Sequence, residues 1–295
     1  MSQRKTSQQA FYKRREPTMK KSIPYLILAP GLILLIFFLV MPLVSILLPT
    51  VFEGGFSLTA YQQFFSDSYN ISIFIRTLRV SLIVTLISAL CGVPTAYYIA
   101  RSPKKWRSLL MALTLFPLLT NSVIRSFAWI NILGQNGVIN NFLLSIGVIK
   151  QPIVMLYTEF SIIVGSIYLF LPIMVMTLVG VVENIDPEIM EAAETLGANR
   201  FSAFMKVILP LSIPGIIVGS VLVFTGTLTA YTTPQLLGGN KNMLLATFLY
   251  QKAMALGDWS GASVIAFVMI VTTIVVMRVF NWIAGKADKR GELNA

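Results

Sequence analysis

Histidine is absent from the 295 residues, and cysteine occurs once, as Cys91. These gaps exclude a disulfide within the chain, and they leave no His/Cys metal site or histidine-based catalytic triad to build. No G-x-x-x-x-G-K-[ST] occurs, so the chain lacks a P-loop with which to hold ATP itself, and no cofactor is expected. Charge is scarce: 12% of residues are charged and 56% are hydrophobic, with a mean hydropathy of +0.76. Soluble domains carry about 25% charged residues, so the shortfall points to lipid-facing segments. A formal charge of +11 does not indicate nucleic acid, because the basic residues flank apolar runs instead of covering one polar face.

Six apolar stretches are long enough to cross about 30 Å of hydrocarbon as helices. They lie near 24–48, 74–100, 107–133, 154–181, 208–232 and 261–284. They lack the alternation of barrel strands, so an all-α membrane protein is expected. The first run is longer than the core of a signal peptide and has no small-residue cleavage site after it, so it reads as a span. Lysine and arginine set the sidedness. Seven occur in 1–23, four in Arg101–Arg107, two in 182–207 and four from Arg278 onward, while the opposite loops hold Lys150, Lys241 and Lys252. The positive-inside rule then places both termini and the 182–207 loop in the cytoplasm. The basic tail is expected to set topology and attract anionic lipid.

Pro30, Pro42, Pro94, Pro117 and Pro172 fall inside the runs, and each is expected to bend its helix. Cys91 reads as a small buried residue. No internal repeat is apparent.

The stretch 182–214, VENIDPEIMEAAETLGANRFSAFMKVILPLSIP, carries the densest cluster of carboxylates: Glu183, Asp186, Glu188, Glu191 and Glu194. Asp186 is suited to cap a helix, Pro187 to its first turn and Glu188 to its positive end. Gly197 suits a left-handed stop, and Asn199 or Ser202 can start a second short helix. Ile189, Ala193 and Leu196 share a face at i, i+4 and i+7, an apolar stripe suited to a groove. Glu191 offers a carboxylate to an arginine, and Ala192 and Ala193 allow close backbone approach.

This stretch resembles the loop by which ABC importer permeases dock on their ATPase. That pattern is Glu-Ala-Ala, three residues, Gly, nine residues, Ile, one residue, Leu-Pro. Here Glu191, Ala192, Ala193, Gly197, Leu209 and Pro210 fit it, with Val207 in the isoleucine position. The stretch from Pro117 through Asn121, Arg125, Trp129, Gly134, Gly137 and Asn140 resembles the spermidine/putrescine permease branch. So do Leu169–Pro172 with Met174 and Met176, and Thr232–Gly239. The resemblance implies a type I importer-like bundle of six transmembrane helices with a cytoplasmic coupling helix, in a bacterial inner membrane. It also implies ABC ATPase subunits, a second related permease subunit and an extracellular solute-binding protein as partners. The organisation expected is a basic tail at 1–23, a six-span domain at 24–284 with its coupling loop at 182–207, and a short tail at 285–295.

For the substrate pathway the candidates are Asn121, Arg125, Trp129 and Tyr231. Asn121 and Arg125, at i and i+4, are expected on one face of a continuous third span. Arg125 should then lie about 27 Å beyond Arg107, near the outer interface. Arg76 and Arg79 read as snorkelling to headgroups, and aromatic faces such as Trp129 or Tyr231 can hold an ammonium. The expected function is import of polyamines. Three outer arginines leave open an anionic or zwitterionic substrate such as a phosphonate or opine-like compound. A stand-alone secondary transporter is the rival class, although the spans offer few ionisable groups for ion coupling. An enzyme is not expected.

Overall fold

A computed structural model describes residues 23–52 and 56–287. Most of the basic tail and the residues from 288 onward lie outside them. Helices account for nearly all the regular structure among the described residues, apart from an isolated bridge between Phe52 and Phe56. The chain divides into two units, 1–57 and 58–295.

In the first unit, α1 (Ile23–Leu35) runs through a π turn (Ile36–Val40) into α2 (Met41–Leu47) and a short 3-10 turn. Within the π turn the Met41 N–H reaches back to the Ile36 carbonyl. The wider turn precedes Pro42, whose ring and missing N–H would break a normal α turn. The same device recurs at Phe204–Ile208, where the Leu209 N–H bonds the Phe204 carbonyl just before Pro210.

The second unit begins with α3 (Thr59–Ser66) and α4 (Ser68–Arg101). Next come α5 (Lys104–Leu119), α6 (Ser122–Leu133), α7 (Val138–Ser145) and α8 (Glu159–Glu183). After these follow α9 (Pro187–Thr195), α10 (Arg200–Ala203), α11 (Leu209–Leu211), α12 (Ile213–Thr229), α13 (Thr232–Gly238), α14 (Leu245–Tyr250) and α15 (Trp259–Ala287). Its main core lies where α4, α8 and α12 meet, around Val80, Val84, Ala96, Ile162, Met174, Leu178 and Val223. Met174 fills a slot between two glycines: a Cβ on Gly92 or Gly219 would come within 2.7 or 2.5 Å of its side chain. Small residues let helices in a membrane approach this closely. A second cluster, including Phe64, Ile73, Phe224, Leu245 and Ile265, joins α3, α4, α12, α14 and α15.

Among the described residues four helices are long and apolar enough to cross a membrane unaided, or up to six if each of two bent pairs counts as one span. The expected third span, 107–133, is such a pair: α5 and the 122–145 segment meet at 93° around Thr120 and Asn121. The expected fifth span is likewise bent, by 66° at Ser212. Prolines do not mark these breaks one for one, since α4 and α8 continue through Pro94 and Pro172. The second span starts earlier than its apolar run, at Ser68, because the Asp67 side chain accepts from the Tyr69 N–H (2.8 Å) and caps it. The fourth starts later, at Glu159, where Thr158 and Ser161 form a reciprocal cap. Cys91 is exposed, not buried: it lies beside the inward-facing Gly92 and turns its thiol to the outer face of α4.

Candidate functional site

The 186–208 loop is assembled from local hydrogen bonds. Asp186 accepts from the Glu188 N–H (2.9 Å) and Pro187 opens α9. At the other end the Gly197 N–H bonds the Glu194 carbonyl and the Ala198 N–H bonds that of Ala193. This is a Schellman closure, and it requires Gly197 at φ +90°. Asn199 then caps α10 by accepting from the Ser202 N–H (2.8 Å). An ion pair between Arg200 and Glu194 (3.4 Å) spans the turn. The short helix, sharp turn and second short helix read from the sequence are all present.

The apolar stripe is exposed at its two ends, while Ala193 between them is half-buried. Leu196 is 89% exposed and Ile189 42%, while Glu191 and Ala192 are exposed beside them. Leu209 packs against the main core and Pro210 is exposed. An uncovered leucine beside exposed carboxylates has the chemistry of a docking surface. Glu183, the first acid of the cluster, does not belong to this surface. It pairs with Arg107 at the start of α5 and ties α8 to α5.

The four pathway candidates are each held by a different partner. Asn121 is the cap of α6, accepting from the Val123 N–H (2.9 Å), so it does not share a continuous helix face with Arg125. Arg125 is buried and donates to the carbonyls of Pro117 (2.8 Å) and Thr120 (3.4 Å). It therefore pins the bend, and the 93° turn removes the straight axis that would have carried it to an interface. Carbonyls left open at the end of α5 are natural acceptors for a buried guanidinium. Trp129 meets Tyr168 edge to face (5.6 Å between centroids), and Tyr231, at the break after α12, lies against Tyr250 (4.6 Å).

At the end of the bundle remote from the loop, Arg76 and Arg79 share a carboxylate partner within the chain. Both pair with Glu159, the first residue of α8, Arg76 at 3.1 Å. Arg76 also donates to the carbonyls of Lys241 and Met243 (3.4 Å each). Around this pair, the Asn242 amide donates to the Tyr157 carbonyl (2.7 Å), the Ser161 hydroxyl to that of Leu237 (2.8 Å), and the Leu245 N–H to Thr77 Oγ1 (2.9 Å). Nearby in sequence, Asn140 is fully buried and bridges Gly134 and Ile153 through three hydrogen bonds. Beyond α14, the Gly261 backbone N–H and then the Lys252 ammonium hold the Asp258 carboxyl below its ordinary range. Sequence reasoning missed this clamp. The one available signal was Glu159, a carboxylate opening an apolar run that arginines would have to meet.

Residues 92–290 match the family of binding-protein-dependent transport system inner membrane components. The chain is 33% identical over 239 residues to the spermidine/putrescine transport system permease protein PotB of Escherichia coli, covering 81% of this chain and 86% of that protein. It is 35% identical over 205 residues to the protein of the same name in Haemophilus influenzae, covering 70% and 72%. In fold it resembles a chain of a bacterial alginate ABC transporter solved with an alginate pentasaccharide-bound periplasmic protein. That likeness has a TM-score of 0.76 at 21% identity and covers 90% and 94% of the two chains. The all-helical bundle is thus that of a type I ABC importer permease, and the chain belongs to the binding-protein-dependent transport system inner membrane components, as a transport subunit and not an enzyme.

Proposed function

We propose that this chain forms half of the membrane pathway of an ATP-driven importer of polyamines, with α9 as the helix that enters its ATPase. The observation that carries the reading is the exposed stripe of Ile189 and Leu196 on a loop whose shape is fixed by its own caps. Glu191, Ala192, Ala193 and Gly197 supply the docking helix and its stop, and Leu209 and Pro210 return the chain to the bundle. The partners are ABC ATPase subunits, a second related permease subunit and a solute-binding protein. Both termini and the 186–208 loop lie on the cytoplasmic side, a sidedness supported by the basic residues at 101–107 and from 278 onward. The six-span domain occupies 24–284.

Polyamine as substrate is supported by the two relatives named for spermidine and putrescine and by the fate of the outer arginines. Arg76 is taken up by Glu159 and two backbone carbonyls, and Arg79 shares the same carboxylate, so both serve a structural clamp. The Trp129–Tyr168 pair within α6 and α8, and the Tyr231–Tyr250 pair just after α12, present aromatic faces where ammonium groups can be held by cation–π attraction. Asn121 and Arg125 shape the 93° bend that precedes Trp129.

Purification from the native membrane tests the reading. An ATPase should accompany the wild-type chain and be lost from Gly197→Asp and Glu191→Lys, both of which still insert, while cells carrying the wild type take up radiolabelled spermidine. A wild-type chain that elutes alone, or full uptake by both variants, contradicts the docking assignment. Uptake of a phosphonate and not of spermidine would overturn the substrate.

A further inference from the structure

The α9 helix is only lightly packed, with no fully buried residue. Its closest neighbours are the segments that follow it, α10 and the 204–208 turn. Between it and the end of α4 lies a cavity of about 660 Å3, lined by Pro94, Tyr97, Arg101, Met190, Glu191 and Phe201 among others. Close-packed interiors transmit displacement directly, but across an open cleft a helix moves its neighbour chiefly through the contacts that bridge the gap.

Two side chains one turn apart on α4 tie it to the two sides of the loop. Arg101, the last residue of α4, donates through Nη2 to the carbonyl of Ile185 (2.8 Å), the residue just before the Asp186 cap. The same group lies over the Tyr97 ring one turn back, 6.0 Å from its centroid. Tyr97 in turn meets Phe204 edge to face (5.2 Å), and Phe204 packs on the main core. Arg101 therefore holds the entry of the loop to the end of α4 and lies against the Tyr97 ring that holds the exit. The far end of α4 is clamped to α8 by Arg76 and Glu159, so a pull at Arg101 acts on a helix anchored at its other end.

We propose that Arg101 is the positioning residue that transmits movement of the 186–208 loop to α4, so that docking of the ATPase and gating of the pathway are separable functions of this chain. The inference rests on the docking reading above. It predicts a particular defect: an ATPase that binds and turns over without moving substrate.

The test uses the complete complex of both permease subunits, ATPase and binding protein in proteoliposomes, with radiolabelled spermidine as the transported probe. Arg101→Ala should retain the bound ATPase and its hydrolysis while uptake falls about tenfold, the scale of one lost charge-assisted hydrogen bond. The ATP consumed per spermidine then rises by the same factor. Arg101→Lys keeps a donor for Ile185 but loses the flat stacking group, so its ratio should fall between the two, and Tyr97→Leu should raise the ratio as well. A wild-type ratio in Arg101→Ala overturns the proposal even if uptake and hydrolysis fall together, because that pattern is simple anchoring. Loss of the ATPase from Arg101→Ala overturns it too. If Arg101→Ala fails to accumulate, an unchanged ratio in Arg101→Lys decides against it. Failure of the docking reading itself appears earlier and separately, as a wild-type complex without an ATPase.

Discussion

At one end of the second unit, Arg76, Arg79, Thr77, Glu159, Ser161, Asn242 and the 237–245 backbone are joined by hydrogen bonds and ion pairs that cross between distant stretches of chain. At the other end the 186–208 loop has a fully capped backbone but few long-range ties, and it leaves Leu196 and Ile189 uncovered. The first arrangement fixes helices to each other. The second fixes its own shape and is held to the bundle mainly at its two ends, through Ile185 and Phe204, so its first helix can be moved by something that binds it. A permease that must hold its bundle together while one loop is pushed needs both, and the contrast explains why the apolar stripe tolerates exposure.

The contrast can be broken from either side. The largest effect is expected for Leu196→Asp, which removes an apolar contact that the chain itself does not use. Uptake should fall to background while the amount of protein in the membrane stays within the range of a neutral surface change. Loss of the protein would mean that Leu196 is covered after all. Next comes Glu159→Ala, which strands two guanidiniums at a partly buried site. Its cost should be about 2 kcal/mol, read as a lower unfolding midpoint of the solubilised protein. An unchanged midpoint would reduce the clamp to a surface pair. Asn140→Ala should cost about 1 kcal/mol by the same measurement, because it removes the three hydrogen bonds with which the buried Asn140 side chain ties the Gly134 turn to Ile153. At the bottom, Cys91→Ser should change neither uptake nor midpoint, as its side chain faces away from the core.

The two ends also differ in how much of them could be read in the sequence. The loop was legible because its determinants act over two to five residues: Asp186 on Glu188, Asn199 on Ser202, and Gly197 on the helix it ends. Such rules need no knowledge of the rest of the fold. The clamp was not legible, because Arg76 finds Glu159 83 residues away and Thr77 finds Leu245 168 residues away. Without those partners the arginines read as snorkelling side chains. Helix existence followed from the apolar runs, but continuity did not. Prolines suggested kinks throughout, whereas the sharp bends fall at Thr120–Asn121 and Ser212. At the first of these, a capping asparagine and a buried arginine hold the turn. Cys91 was misassigned for a related reason, since which face of an apolar helix is inward depends on what packs against Gly92 and Ser88.

The most direct measurement of the central claim is site-specific cross-linking from the exposed stripe. With Cys91→Ser as background, Leu196→Cys would be treated with a thiol-reactive photocross-linker in native membranes. The expected product contains the ATPase subunit and disappears when Gly197→Asp is added. A product confined to this chain or to lipid, with the ATPase present in the same membranes, would contradict it.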